Sequence, residues 1–233
     1  MKQVLAVLTA IIVLNSCQYT SGSGNIKSET RSISNFTEIS VGSSFDVEVK
    51  IGPVTEVRVE ADDNIIKYIE TEVSGNTLKI RLEDNHAISN AHLNVYITMP
   101  ALTAVRTSGS ASVIVEDVIT SKEKLSFKAS SSSDIKAEVD APEVEAETSS
   151  SATINLSGKT RTYHASASSS SDIKSWDLLS ENATAKASSS ATIKLHASVS
   201  LDARASSSAD VVYHGAASVS KSVSSSGSVE KRD

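Results

Sequence analysis

The chain has 233 residues, 39% of them apolar and only 4% aromatic, with a formal net charge of −6. That is room for one large domain or two small ones, with a narrow core built from Val, Ile, Leu and Ala. Interspersed charges and the acidic balance disfavour a nucleic-acid partner, which needs a basic patch. Nine Gly and three Pro exclude a collagenous or linker-dominated chain.

The first residues read as a secretory leader. Lys2 gives the positive start, and Val4 to Leu14 form an apolar run too short to span a bilayer as a helix. The run ends in Leu14-Asn15-Ser16-Cys17, which resembles a bacterial lipobox. Cys17 is the one cysteine in the chain and has no disulfide partner within it. Residues 1–16 are therefore expected to be a lipoprotein signal peptide and Cys17 the lipidation site. Residues 17–30 follow as anchor and flexible tether, with "QYTSGSGN" at the start. No acidic cluster follows Cys17, which leaves open whether an outer-membrane anchor faces the periplasm or the cell exterior.

Residues 31–233 are expected to be a single domain. In its first part, 31–105, "FTEISV", "FDVEVKI" and "TEVRVEA" alternate apolar and polar residues as half-buried strands do. Asp63 to Val73 is the one expected helix, with Ile65, Ile66 and Ile69 at helical spacing behind an Asp cap. "VSGNT" signals a hairpin turn between strands. The irregular spacing predicts wider or partly antiparallel coils that cover one end of the domain.

From residue 106 a serine-rich unit recurs: "TSGSASV", "ASSSSDI", "TSSSATI", "ASSSSDI", "ASSSATI", "ASSSADV" and "VSSSGSV". Its closing residues, Val113, Ile135, Ile154, Ile173, Ile193, Val211 and Val229, follow one another after 22, 19, 19, 20, 18 and 18 residues. A disordered linker has no reason to hold β-branched residues at that spacing, whereas a solenoid does. Period two assigns Ala129, Ser131, Ser133 and Ile135, and their equivalents, to the interior of a strand-built coil. The buried serines are expected to hydrogen-bond along their own ladder or to the backbone at the corner.

The opposite parity gives an outward ladder of Asp134, Thr153, Asp172, Thr192 and Asp210, a candidate surface binding site. Alternating Asp with Thr keeps like charges off neighbouring strands. Lys136 and Lys174 follow on the same face, as if to neutralise it. Turns are expected at "DAPE" (140–143), "SGKT" (157–160) and "SEN" (180–182), and a charged C-terminal cap at "EKRD".

The stretches "SGSGNIKSETRSISNFTEISVGSSFDVEVKIG", "VRVEADDNIIKYIETEVSGNTLKIRLE" and "SGSASV" together resemble the head GIN domain family, auto-transporter adhesins common in Bacteroidetes. The resemblance spans about residues 22–230. It implies an all-β, right-handed parallel β-helix on a secreted or lipid-anchored envelope protein, and it brings no catalytic motif.

Polysaccharide lyases and hydrolases also use β-helices, and their sites need clustered carboxylates. Asp134, Asp172 and Asp210 are the candidates, read as a solvated ladder because they fall on alternate coils. Asp62, Asp63 and Asp84 read as turn residues. His196 and His214 are expected to stack on neighbouring coils in one column with Ser157 and Trp176; two His could hold a metal, but no third ligand is apparent. No nucleophile elbow, P-loop, paired CxxC or dinucleotide fingerprint is present. The expectation is a non-catalytic, cofactor-free envelope protein that binds a glycan or a surface protein. A structural or envelope-stress periplasmic lipoprotein is the alternative, and a polysaccharide-degrading enzyme ranks third.

Overall fold

The structure, a computed structural model, describes residues 18–84 and 86–232. The signal-peptide and Cys17 assignments lie outside the described residues. The fold is a β-solenoid of about seven turns. In the C-terminal half every coil pairs in parallel with the one before it. Strand Asp134–Thr148 pairs with Thr153–Ala167, that strand with Asp172–Ser175 and Leu178–Ala187, and so on to Ser218–Val223 and Ser228–Lys231.

The β-branched residues stack in single file. Val95, Val47, Val113, Ile135, Ile154, Ile173, Ile193, Val211 and Val229 are each paired with the next across neighbouring strands. Each is at most 8% exposed. Burial of each contributes roughly 1.5–3 kcal/mol. The file begins in the first half because "SSFDV" (Ser43 to Val47) is a further copy of the corner unit, with Phe45 where later coils place Ala, Ser or, in the last, Gly.

The interior assignment of the serine corner needs one correction. Ala129, Ser133 and Ile135 face the core, but Ser131 is exposed, as are Ser150, Ser169, Ser189, Ser207 and Ser225. Each of these serines and the one after it adopts positive φ, for example Ser169 at 56° and Ser170 at 58°. Two successive left-handed residues swing the chain outward and interrupt period two. The strained conformation, costing on the order of 1–3 kcal/mol per residue, is offset by a regular backbone ladder. The second serine's N–H donates to the first serine's carbonyl one coil on, as in Ser132 to Ser150, Ser151 to Ser169 and Ser170 to Ser189, at 2.9–3.1 Å. The buried hydroxyls behave as expected: Ser171 Oγ donates to Ser168 O at 2.7 Å and lies 2.9 Å from Thr148 Oγ1, and Ser133 repeats this with Ser130 and Thr107. Ser169→Leu should therefore cost only about 1 kcal/mol, from backbone strain. Ala167→Leu, whose Cβ faces the core, should lose about 1–3 kcal/mol or more by overpacking. Chemical denaturation of the two variants checks this ordering.

The turns expected at 140–143, 157–160 and 180–182 are bends inside continuous strands, since the coil-to-coil ladder carries on through them. It skips one step at Pro142, which has no N–H to give, and the same step one coil on, between Arg161 and Glu181.

The first half seals one end of the solenoid. Strand Leu93–Met99 pairs in parallel with Asp46–Ile51 on one side and antiparallel with Glu56–Asp62 on the other, and Glu56–Asp62 pairs antiparallel with Ile26–Arg31. The "VSGNT" hairpin is present as Ile69–Ser74 and Thr77–Leu82. The expected helix is reduced to a 3-10 turn, Ile66–Tyr68, and Ile69 onward is strand. Its isoleucines are buried by sheet packing, which overrides a weak local helical pattern.

The tether assignment also changes. Gln18–Ser21 pairs in parallel with His86–Ser89, and residues 22–25 are clamped by the 62–64 turn. Asp62, 2% exposed, accepts the N–H groups of Gly24 at 2.6 Å and His92 at 2.7 Å. The His92 N–H, helped by that of Gly24, holds the Asp62 carboxyl below the usual carboxylate range against the opposing effect of burial. A lowered folded-state value means a contribution fully present above the unfolded pKa of about 3.9 and lost as pH falls through the folded value. Asp62→Ala should cost about 3 kcal/mol. It should also raise amide exchange at residues 22–25 and 92 at neutral pH, a change the wild type shows only in acid.

Candidate functional site

One face of the solenoid carries the outward ladder. Asp134, Thr153, Asp172, Thr192 and Asp210 are paired in that order across successive coils. The ladder is longer than the sequence reading made it: Asn94, Asp46 and Ser112 precede Asp134, and Ser228 follows Asp210. A hydroxyl or amide separates each Asp from the next, so carboxylates lie about 9–10 Å apart along the stack. Ser228 Oγ donates to Asp210 Oδ1 at one end of the column.

Two residues further along each strand runs a second column, Lys136, Asn155, Lys174 and Lys194. The spacing "DIK", "TIN", "DIK", "TIK" announces all four, although Lys194 and Asn155 are not singled out by charge arguments alone. The expected neutralisation by Lys136 and Lys174 is not a direct pairing. Among the described residues neither makes an ion pair within 4.0 Å, nor does Lys194. Elsewhere lysines do pair, as Lys128 with Glu147 at 2.6 Å and Lys159 with Asp140 at 3.1 Å.

Beside the lysines the strand bulges. Asn155 pairs with Lys174, an offset of 19, but Gly158 pairs with Leu178, an offset of 20. The extra residue falls at Trp176–Asp177, and Gly158 N–H donates to Asp177 O at 3.0 Å. Bulges re-aim side chains. Here the bulge sets Trp176 at the edge of a groove of about 650 Å³ that Lys136, Lys174, Lys194 and Asn155 also line.

His196 and His214 are paired on neighbouring coils, their rings 4.8 Å apart and edge-on. Trp176 stacks on His214 at 4.2 Å, 15° from parallel. His214 Nε2–H donates to Trp176 O at 2.9 Å, and His196 Nδ1 accepts the Ser180 N–H at 3.2 Å. Burial, with the neighbouring His214 charge, lowers the His196 pKa, so the ring stays neutral at pH 7. One nitrogen of each ring is thus committed to the backbone, and the pair braces Trp176 instead of converging on a shared ion. Among the described residues no three His, Cys, Asp or Glu side chains form a metal-binding group.

Residues 35–217 match the family model described as "Putative auto-transporter adhesin, head GIN domain". Similar solved structures include a "putative adhesin" from Bacteroides fragilis NCTC 9343, with TM-score 0.83 and 18% identity over 91% of this chain and 98% of that one. Another is a "putative lipid binding protein" from Parabacteroides distasonis ATCC 8503, with TM-score 0.73 and 23% identity over 93% and 100% of the two chains. A third, from Parabacteroides merdae ATCC 43184 and again named "putative adhesin", has TM-score 0.73 and 18% identity over 93% and 100%. These likenesses establish a shared fold. No curated protein matches the chain. On the match that spans most of its length, the chain belongs to the head GIN domain family.

Proposed function

We propose that the chain is a lipid-anchored cell-envelope protein, held in the outer membrane through Cys17, whose solenoid is a non-catalytic binding surface. The observation that carries this reading is the outward face itself. Side chains able to accept and donate hydrogen bonds stand in fixed register over successive coils, each locked to its neighbours by the parallel ladder. Such a surface is pre-organised, so little conformational entropy is lost when a partner docks. Membership of an adhesin family supports the same reading. An acid–base pair across a sugar needs two carboxylates and a cleft between them. The ladder puts its carboxylates side by side on an open face with a hydroxyl between. No helix among the described residues is long and apolar enough to cross a membrane.

The test is protease treatment of intact cells, with mass spectrometry of the mature N-terminus. Digestion of the solenoid on intact cells and a diacylglyceryl Cys17 are expected. Protection until the outer membrane is permeabilised would favour the structural periplasmic alternative over an adhesin.

A further inference from the structure

Lys174 and Lys194 are directly paired across adjacent coils, with Lys136 in the same column two coils before Lys174. Like charges placed opposite one another on neighbouring strands destabilise a sheet. The outward Asp column beside them avoids that arrangement at every step, so the solenoid can accommodate alternation where it is used. All three lysines are exposed and, among the described residues, without an ion-pair partner. They share a groove with Trp176, the chain's one tryptophan, delivered there by a bulge and stacked on its other side by His214. A repulsive lysine pair next to a braced indole is an arrangement that costs stability and whose offsetting gain would come from a ligand.

Resting on the surface-binding reading above, we infer that this groove binds an acidic polysaccharide, a chain of sugars bearing carboxylates. The acid group sits between Lys174 and Lys194, and an apolar sugar face lies against Trp176. Asn155 donates to ring hydroxyls. The Asp172 and Thr192 side chains next to the lysines, with Glu138 and Asp177 on the groove wall, accept hydroxyl protons. Those carboxylates exclude a bare polyanion, which would be repelled on both flanks. A neutral glycan leaves the lysines uncompensated. Only a ligand that is both anionic and rich in hydroxyl donors satisfies both columns.

The full chain in neutral detergent is titrated with polygalacturonate, neutral dextran and inorganic polyphosphate. Intrinsic fluorescence reports directly because Trp176 is the sole tryptophan. Polygalacturonate is expected to shift the emission and to bind more weakly as salt rises, while dextran and polyphosphate do not compete. Lys174→Gln with Lys194→Gln should weaken binding by about tenfold or more and leave the melting temperature unchanged or higher, since a repulsion is removed. The double Lys→Arg variant should retain binding. The inference is overturned by unchanged emission, by equal binding of dextran or polyphosphate, or by a double Gln variant that binds like wild type. Surface display is read separately by the intact-cell protease experiment. A digestible chain that ignores polygalacturonate defeats this ligand but not the adhesin reading, and a protected chain that binds it defeats display but not the ligand.

Discussion

Gly158→Ala should destabilise the solenoid by on the order of 4–5 kcal/mol, at the extreme of single substitutions. Gly158 has φ of +103°, and a Cβ built on it would lie 2.1 Å from Val139 O and 2.9 Å from Val139 N. Neither contact can be relieved by rotating a side chain, because Val139 is a backbone partner in the adjacent coil. The bulge at Trp176–Asp177 sits on the opposite side of Gly158, so the strand cannot slide away without losing the Gly158 N–H to Asp177 O bond. Gly75→Ala is the control. Gly75 is also left-handed, at +62°, but nothing stands within 4 Å of its would-be Cβ. That variant should lose only about 1 kcal/mol. Urea unfolding of both chains measures the difference. Equal losses would mean that backbone conformation, and not the close approach of two coils, makes glycine necessary at 158.

The second large effect is at Tyr163. It is fully buried, with Val144 paired on one side and the small Ala183 on the other. Tyr163→Ala should cost about 3–5 kcal/mol through the cavity it leaves. Tyr163→Phe should differ from wild type by no more than about 1 kcal/mol in either direction. The Tyr163 hydroxyl is buried near Ser175 without reaching hydrogen-bonding geometry, and Ser175 Oγ already donates to Lys194 O at 2.8 Å. Burial pushes the phenol pKa far above its ordinary value, so the group is neutral at pH 7. A large loss in the Phe variant would show that the hydroxyl holds a partner in solution.

The repeat made the single file of Ile and Val legible, because one β-branched residue every coil is a pattern that only stacking maintains. The outward ladder followed from it by parity. The corner did not, because parity assumes extended backbone and the two left-handed serines abandon it. Gly109, at φ +69°, heads the same column as Ser131 and Ser150 and was the visible sign that this position is left-handed. The bulge at Trp176 was only half legible. The 20-residue spacing from Ile173 to Ile193 marks a longer coil, but where the extra residue falls appears only when both sides of the pairing are known. The tether was misread from composition. Gln18–Asn25 is polar and glycine-containing, yet its backbone groups find partners at Ser89, Asp62 and Asn64. The antiparallel end-cap was foreseeable from irregular spacing, though not which strands form it.

Rigidity links fold to function. From Asp134 to Asp210 each outward side chain takes its position from a strand paired on both edges, so no residue of that stretch can move alone; only the terminal strand of Ser228 has a free edge. The same stacking that buries Ile154 sets the height of Thr153 and the reach of Asn155 on the next outward positions.

Cysteine cross-linking reads this lap-by-lap stacking most directly, using Cys17→Ser as background so that no other thiol is present. Thr153 and Asp172 face each other on adjacent coils, whereas Thr153 and Thr192 are separated by one coil. A disulfide needs Cα atoms about 4.4–6.8 Å apart, which one coil spacing satisfies and two do not. Thr153→Cys with Asp172→Cys should oxidise to an intramolecular disulfide with the fold intact, and Thr153→Cys with Thr192→Cys should keep two free thiols. A bridge in the second pair, or none in the first, would contradict the register on which the ladder, the lysine column and the groove all depend.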